Sequence, residues 1–185
     1  MSEPLEIRVG MFGAKGAHKT EITYCYVERE MGDIPSIDDS FSKQIVIGSR
    51  TINVEVVDTL GQDDFKEMRQ RYYASCDCFV LVYNVNDSSS LEMIREIYND
   101  IQQAKLNPIH AIIAGNIIKE KNKDSIPIEE AQKVANELHC QVLEVNPKTG
   151  LNVNELFETL IKDVLNLKDD SKDDSKDGEG YCLIL

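Results

Sequence analysis

The chain has 185 residues, a formal net charge of -13, and apolar and charged fractions of 42% and 29%, which are typical of a soluble globular protein. Its length suits one domain with a sizeable core and a tail. The negative field repels phosphate backbones, which argues against a nucleic-acid partner and disfavours anionic membranes. The N-terminus, MSEPLEIRV, lacks the basic segment and apolar run of a signal peptide, so we expect a cytoplasmic protein.

Six segments have the apolar pattern of strands, and three of them are nearly continuous apolar runs. They are residues 5–12, 41–47, 51–58, 78–85, 110–116 and 140–146. Four segments between and after them have helical spacing, namely residues 19–29, 89–105, 128–139 and 152–167. Continuous apolar strands suit a parallel sheet that is covered by helices on both faces. The alternation therefore predicts a three-layer, doubly wound α/β domain.

Two features complete the predicted organisation. The second and third strands meet through IGSRTI, which leaves no room for a helix, so they should form an antiparallel hairpin at the edge of an otherwise parallel, six-stranded sheet. After Leu167 the sequence KDDSKDDSKDGEG contains no core residue. We therefore expect a domain over residues 1–167 and a disordered acidic tail over residues 168–185.

The five cysteines have no spacing typical of a metal site with histidine. Their odd number is compatible with reduced intracellular thiols. We expect Cys25, Cys76, Cys78 and Cys140 to be small core residues, whereas Cys182 lies in the last four residues.

The first predicted strand is followed by GAKGAHKT, residues 13–20. A phosphate-binding loop has the pattern G-x-x-x-x-G-K-[ST], in which backbone N–H groups surround the phosphates, the lysine contacts them and the hydroxyl binds Mg²⁺. The sequence matches at every fixed position except His18, which replaces the second glycine. This motif predicts a phosphate loop with one departure.

Further motifs follow in order: PSIDDSFSKQ before the second strand, DTLGQ after the third, GN after the fifth, EVNPKTG after the sixth, and CLIL at the end. Together with the phosphate loop they resemble a Ras-type small GTPase over residues 5–167 and the last four residues. The resemblance implies a P-loop G domain that binds GTP or GDP with Mg²⁺, hydrolyses GTP slowly and binds effectors in a nucleotide-dependent way.

The resemblance also assigns roles to individual residues. Lys19 matches the lysine that contacts the β- and γ-phosphates, and Gln62 matches the catalytic residue that orients the attacking water. The implied nucleotide-binding residues are Gly13, Lys15, Gly16, Ala17, His18, Lys19, Thr20, Gly61, Asn116 and Lys148. The implied Mg²⁺ ligands are Thr20, Ser36 and Asp58.

The segment PSIDDSFSKQ matches the effector loop of the family. The implied effector-binding residues are Ser36, Ile37, Asp38, Asp39, Ser40 and Phe41. An acidic edge strand can accept a basic partner strand, although edge charges also protect against aggregation. The resemblance implies a monomer whose partners are effectors with Ras-binding-type domains, exchange factors and GTPase-activating proteins.

Three substitutions around the phosphates depart from the family. His18 brings a Cβ and a ring to a position where glycine allows a tight turn, often at positive φ. Lys15 replaces a glycine near the place where an activating arginine and the catalytic glutamine meet, and Leu60 adds bulk beside Gly61 and Gln62. Obstruction there should slow hydrolysis by about 10³-fold or more.

The base-reading positions depart further. The family has Asn-Lys-x-Asp after the fifth strand, where the aspartate accepts two hydrogen bonds from guanine. Here Asn116 is kept, Ile117 replaces the lysine, and Lys119, which has no acceptor, replaces the aspartate. Pro147 also removes the N–H that reads the guanine oxygen, while Lys148 is kept. Loss of two charge-assisted bonds lowers affinity by about 10²- to 10⁴-fold.

The ending CLIL has the C-a-a-X pattern, in which Cys182 would carry a geranylgeranyl group. The tail has no second cysteine and is acidic, and one lipid alone gives weak, reversible anchoring. We expect exchange between the cytosol and the cytoplasmic face of a membrane low in anionic lipid.

Three functions remain open from the sequence. The chain is a cycling GTPase, or a nucleotide-loaded protein that hydrolyses slowly and has relaxed base choice, or a pseudo-GTPase that acts as an interaction module with weak or no nucleotide binding. The implied Mg²⁺ ligands Thr20, Ser36 and Asp58 favour the first two. The departures at His18, Lys119 and Pro147 favour the third.

Overall fold

The computed structural model describes residues 4–28, 39–59, 66–105 and 107–173. Within these ranges there are six strands and five helices. In chain order they are β1 (Leu5–Gly13), α1 (Lys19–Val27), β2 (Asp39–Ile47), β3 (Arg50–Asp58), α2 (Lys66–Ser75), β4 (Cys78–Asn84), α3 (Ser88–Ala104), β5 (His110–Asn116), α4 (Ile128–Glu137), β6 (Gln141–Val145) and α5 (Val153–Asp173). Nearly all predicted ends lie within two residues of these bounds.

The six strands form one sheet in the order β2-β3-β1-β4-β5-β6. β2 pairs with β3 in antiparallel register, with Phe41 opposite Val56, and every other pair of neighbours is parallel. This confirms the predicted doubly wound α/β fold with an antiparallel hairpin at one edge.

The central strands are buried on both faces. In β4, Val80 and Val82 belong to the core cluster that includes residues of α1 and α5. Phe79 and Leu81 belong to the second cluster, with residues of α2, α3 and α4. Because successive strand residues point to opposite faces, a strand between two helix layers must be apolar at every position. This explains the continuous run CFVLVYN.

Two helices differ from the sequence prediction. The prediction missed α2, since its sequence KEMRQRYYAS is strongly polar and gives little apolar periodicity. The last helix, α5, continues to Asp173, six residues past the expected end at Leu167 and into the segment expected to be disordered. No proline or glycine occurs there before Gly178, so nothing in the sequence breaks the helix at Leu167.

Of the cysteines, Cys76 and Cys78 are buried as expected, whereas Cys25 and Cys140 are only half-buried. Burial raises the pKa of Cys76 and of Cys140 from 9.0 to about 11. No helix within the described ranges combines the length and the apolar character needed to cross a membrane.

The topology places the candidate site residues together. β3 is parallel to β1, and β5 is parallel to β1 through the strand between them, β4. The carboxyl ends of these strands therefore lie at the same edge of the sheet. Gly13, Asp58 and Asn116 are the last residues of these three strands. Ligands of doubly wound sheets bind at this edge.

Candidate functional site

The phosphate loop, residues 13–20, connects β1 to α1. A Cβ on Gly13 would lie 2.1 Å from the backbone oxygen of Val82, so the close approach of β1 to β4 requires glycine there. The loop turns back through a hydrogen bond of 3.1 Å from the Ala17 N–H to the Ala14 carbonyl. Gly16 has φ of 85° and open space around it, so its glycine serves the backbone conformation.

His18 adopts the left-handed conformation, with φ of 56° and ψ of 51°, immediately before α1 begins. Its ring nitrogen Nδ1 lies 2.5 Å from Oε1 of Glu21, and the side chain is 41% exposed. The imidazole therefore rests on the first turn of α1. The His18 backbone thus lies in the region that favours glycine, at a cost of about 1–3 kcal/mol.

Lys19 is buried, at 8% exposure, although it carries a charge. Its Nζ donates to the carbonyl of Gly13 at 3.0 Å and to that of Ala14 at 3.4 Å. The lysine thus extends back along the phosphate loop, and its ammonium lies beside the loop backbone. A buried ammonium at this place suits a ligand that carries negative charge.

Asn116 holds the other end of the loop. This residue is fully buried at the end of β5, and its Nδ2 donates to the carbonyls of Ala17 at 2.9 Å and His18 at 3.1 Å. Both amide hydrogens are therefore used. The Oδ1 atom is buried and has no hydrogen-bond partner within the part of the chain that the structure describes.

These contacts orient the backbone of the loop. No peptide bond among the described residues is cis, so each carbonyl points opposite to the N–H of the next residue. Four carbonyls of the loop accept hydrogen bonds from the side chains of Lys19 and Asn116. The N–H group that follows each of these carbonyls therefore points away from those side chains. Within the described ranges, the N–H groups of Gly16 and His18 donate to no backbone carbonyl. Loop N–H groups that have no backbone acceptor can donate to an anion.

Two residues with oxygen-bearing side chains lie on the elements that flank this loop. Thr20 is half-buried in the first turn of α1, and Asp58 is 2% exposed at the end of β3, opposite Met11 of β1. Thr59 fixes the chain after β3 through a bond of 2.9 Å from its hydroxyl to the Met11 carbonyl. A hydroxyl and a carboxylate are the donors that Mg²⁺ prefers, so the residues present fit this ion.

Several predicted site residues cannot be placed. Gly61, Gln62, Leu60, Ser36, Ile37, Asp38 and Cys182 lie outside the described residues, and the side chain of Asp39 is not described. Lys15 is exposed on the loop. Ser40 is exposed, whereas Phe41 is 2% exposed and packs edge-on against Tyr24, with ring centroids 5.3 Å apart. The Phe41 side chain is thus part of the core.

The residues after β5 form the predicted base-reading side of the site. Ile117 is half-buried, and its N–H donates to the Val145 carbonyl at 2.8 Å, which continues the pairing of β5 with β6. Lys119 is exposed. The sequence therefore places a cation and an apolar side chain where the family has an aspartate and a lysine.

The turn after β6, residues 146–149 and here called the base turn, contains a contact that the sequence reasoning missed. Oδ1 of Asn146 accepts from the N–H of Lys148 at 3.0 Å and from the N–H of Thr149 at 3.3 Å. Pro147 has no N–H. The two N–H groups that follow the proline are thus bonded inside the turn. An Asn-Pro pair is a known signal for such a side-chain-closed turn.

Comparisons with known proteins agree with this geometry. The model of the Ras family matches residues 8–166. The chain is 29% identical over 160 residues to Ras-like protein 1 of Saccharomyces cerevisiae, covering 85% of this chain and 52% of that protein. It is 23% identical to Ras-like protein 2 of Mucor circinelloides and 27% identical to Ras-like protein RAS2 of Hydra vulgaris, with at least 95% of each chain covered.

The chain spans about half the length of the yeast relative and nearly all of the other two. The family match begins three residues inside β1 and ends within α5, so it includes the rest of β1, all the other strands and the whole phosphate loop. On this match, and on the sheet order described above, the chain belongs to the Ras family of small GTPases.

Proposed function

We propose that this chain is a Ras-like switch protein that binds a nucleoside di- or triphosphate with Mg²⁺ through residues 13–20, with weak guanine selectivity and slow hydrolysis. One observation carries the proposal. Lys19 and Asn116 donate to four carbonyls of the loop although His18 replaces a glycine, so the N–H groups that follow these carbonyls point away from the two side chains. The substitution therefore raises the conformational free energy of the loop more than it changes the shape of the loop.

Each residue of the site has a role in this proposal. Lys19 would contact the β- and γ-phosphates, and the N–H groups of the loop would bind phosphate oxygens. Thr20, Asp58 and Ser36 would hold Mg²⁺, which neutralises phosphate charge when bound. Gln62 would orient the attacking water, and the long exposed side chain of Lys15 would obstruct the approach of an activating arginine.

Slow hydrolysis would leave the protein mostly in its effector-binding form. Residues 36–41 and the exposed edge of β2 would contact an effector with a Ras-binding-type domain by extension of the sheet. Because the Phe41 ring packs in the core, Ser40 and the preceding acidic residues would supply side-chain contacts on this edge. Exchange factors and GTPase-activating proteins would act on the same face.

A prenyl group on Cys182 would attach the protein reversibly to the cytoplasmic face of a membrane. A Cys182→Ser variant should move from the membrane fraction to the soluble fraction of the expressing cell. Equal fractionation of the variant and the wild type would contradict this part of the proposal.

A second candidate is a pseudo-GTPase that works as an interaction module. Two observations favour it. The left-handed conformation of His18 costs free energy. In the base turn, Oδ1 of Asn146 accepts from the N–H of Lys148. In this case the sheet edge at β2 would bind partners without a nucleotide switch.

The released nucleotide separates the two candidates. Freshly purified protein is denatured, and the supernatant is resolved by chromatography, with Lys19→Ala as the binding-deficient variant. Lys133→Ala, an exposed lysine on α4, is the matched control. We expect nearly one nucleotide per chain from the wild type and the control and little from Lys19→Ala. No nucleotide from a folded wild-type protein, even after incubation with Mg²⁺ and added nucleotide, would overturn the proposal in favour of the pseudo-GTPase.

A further inference from the structure

Glu21 places a carboxylate at the start of α1, where the loop of residues 13–20 joins the helix. It is the acidic residue of the first turn of α1, and its Oε1 lies 2.5 Å from Nδ1 of His18. We propose that this carboxylate repels nucleotide phosphates, so that Glu21 lowers the affinity of the site and speeds the release of bound nucleotide without an exchange factor. This inference rests on the proposed phosphate binding by residues 13–20 and adds a residue that sets how long the nucleotide stays bound.

The start of a helix attracts anions because its first N–H groups have no partner within the helix and carry a partial positive charge. A phosphate bound by residues 13–20 would interact with this charge at the start of α1. A carboxylate in the same turn interacts with it as well. Glu129 and Glu130 lie in the first turn of α4 in this way, where no ligand is proposed and the effect is a stabilising one. At α1 the same arrangement brings a negative charge close to the proposed phosphate site.

His18 restrains the Glu21 carboxylate. The two residues are three positions apart, a spacing at which side chains are neighbours on a helix surface, and the Glu21 side chain is only 27% exposed. The backbone of His18 is itself held, because its carbonyl accepts from Nδ2 of Asn116 at 3.1 Å. The negative charge of Glu21 is therefore held against the loop and does not extend into solvent, away from a ligand.

The proposed function gives Glu21 no part in holding the ligand that would offset this repulsion. Lys19 supplies an ammonium, whose Nζ donates to the carbonyls of Gly13 and Ala14. Asp58 is also a carboxylate, but it is a proposed ligand of Mg²⁺, whereas Glu21 is not. Like charges near a protein surface repel one another modestly, so we expect this one carboxylate to raise the dissociation constant of a nucleotide by about three- to tenfold.

The test measures the release of tritium-labelled GDP from full-length protein that is loaded with Mg²⁺ present and then mixed with an excess of unlabelled GDP. Glu21→Gln keeps an oxygen that accepts from His18 and removes only the charge. We expect this variant to release GDP about three- to tenfold more slowly than the wild type does. The matched control is Glu129→Gln, which makes the same change at an exposed position in the first turn of α4 and should release GDP at the wild-type rate.

Two further measurements separate an effect of charge from an effect of structure. Raising the NaCl concentration from about 0.05 M to about 0.5 M shortens the Debye length, so it should reduce the difference between Glu21→Gln and the wild type. In a His18→Gly background the carboxylate loses the contact that restrains it, so Glu21→Gln should slow release by a smaller factor. A difference that stayed the same at high salt and in the His18→Gly background would overturn the inference.

The outcomes distinguish this inference from the proposed function. Equal release of GDP from Glu21→Gln and the wild type would overturn the role of Glu21 and leave the proposed nucleotide binding in place. Binding of GDP to Glu21→Gln and not to the wild type would support the role of Glu21 and overturn nucleotide binding by the wild type. Binding of GDP to neither protein, with intact circular dichroism spectra, would overturn both.

Discussion

Asn116 and His18 are 98 positions apart in the sequence, and a hydrogen bond of 3.1 Å from the Asn116 Nδ2 to the His18 carbonyl joins them. Through this bond the sheet holds the one residue of the phosphate loop that departs from the motif. A left-handed non-glycine residue persists only when its surroundings fix it. The bond therefore contributes to the stability of the loop before any ligand binds.

Replacing Asn116 by Ala should lower the free energy of unfolding of the nucleotide-free protein by about 2–4 kcal/mol. The variant removes the Asn116 donor from the buried carbonyl of Ala17 and from the partly buried carbonyl of His18, and an unsatisfied buried group costs about 1–3 kcal/mol. Urea denaturation followed by circular dichroism measures the change.

The control for this change is Asn136→Ala, which removes only a contact between exposed side chains, at 2.9 Å from Gln132. It should change stability by less than about 0.5 kcal/mol. If Asn116→Ala were as stable as the control, the inference that the Asn116 side chain stabilises the loop would be wrong.

The sequence was sufficient to predict the fold and the position of the loop, because both depend on patterns that are local. The strand CFVLVYN and the motif GAKGAHKT each lie within a short window, and alternation of elements then implies the sheet. By contrast, α2 has only one fully buried residue within its described side chains, Tyr73, so its periodicity is weak. The contact of Asn146 with the base turn depends on side-chain rotamers that the sequence pattern does not specify.

His18→Gly should stabilise the protein relative to His18→Ala by about 1–2 kcal/mol. Both variants remove the ring and its contact with Glu21, but only glycine adopts φ of 56° without a Cβ penalty. His18→Gly should also bind its Mg²⁺-nucleotide more tightly than the wild type does. Thermal unfolding and nucleotide titration of the two variants measure these effects.

His139 is the matched control, because it also has a left-handed φ, of 54°, and lies far along the chain from the phosphate loop, after α4. The pair His139→Gly and His139→Ala should differ in stability by a similar amount, with no change in nucleotide affinity. If His139→Gly also bound nucleotide more tightly than the wild type, the higher affinity of His18→Gly would result from general stabilisation of the protein.

Tyr26→Phe should raise the free energy of unfolding by about 1 kcal/mol. The Tyr26 ring stacks on Phe157 with centroids 3.8 Å apart, and Lys43 Nζ lies 4.7 Å from the Tyr26 centroid. These contacts involve the ring and survive the substitution. The hydroxyl oxygen, however, is buried without a hydrogen-bond partner within the described residues, which costs about 1–3 kcal/mol.

The comparison for this variant is Phe157→Leu, which removes the stacked ring and should lower stability by about 1–2 kcal/mol. Urea denaturation of both variants gives the two values. A loss of stability in Tyr26→Phe would mean that the hydroxyl has a partner in solution, and the assignment of an unsatisfied group would then be wrong.

Stability should fall as the pH rises from about 9 to 11, because two thiols stay protonated in the folded protein. Burial raises the pKa of Cys76 and of Cys140 to about 11, while the thiols of the unfolded chain ionise near 9.0. Above pH 9 the unfolded chain therefore binds fewer protons than the folded protein, so the free energy of unfolding decreases. Urea midpoints at pH 8, 9 and 10 measure the slope. Tyrosines of the unfolded chain also ionise near pH 10, so the contribution of the thiols is the difference between the wild type and a variant that lacks them. The double variant Cys76→Ala and Cys140→Ala should have a flatter dependence, whereas Cys182→Ser should retain the slope of the wild type. Equal slopes for the double variant and the wild type would exclude these thiols as the source.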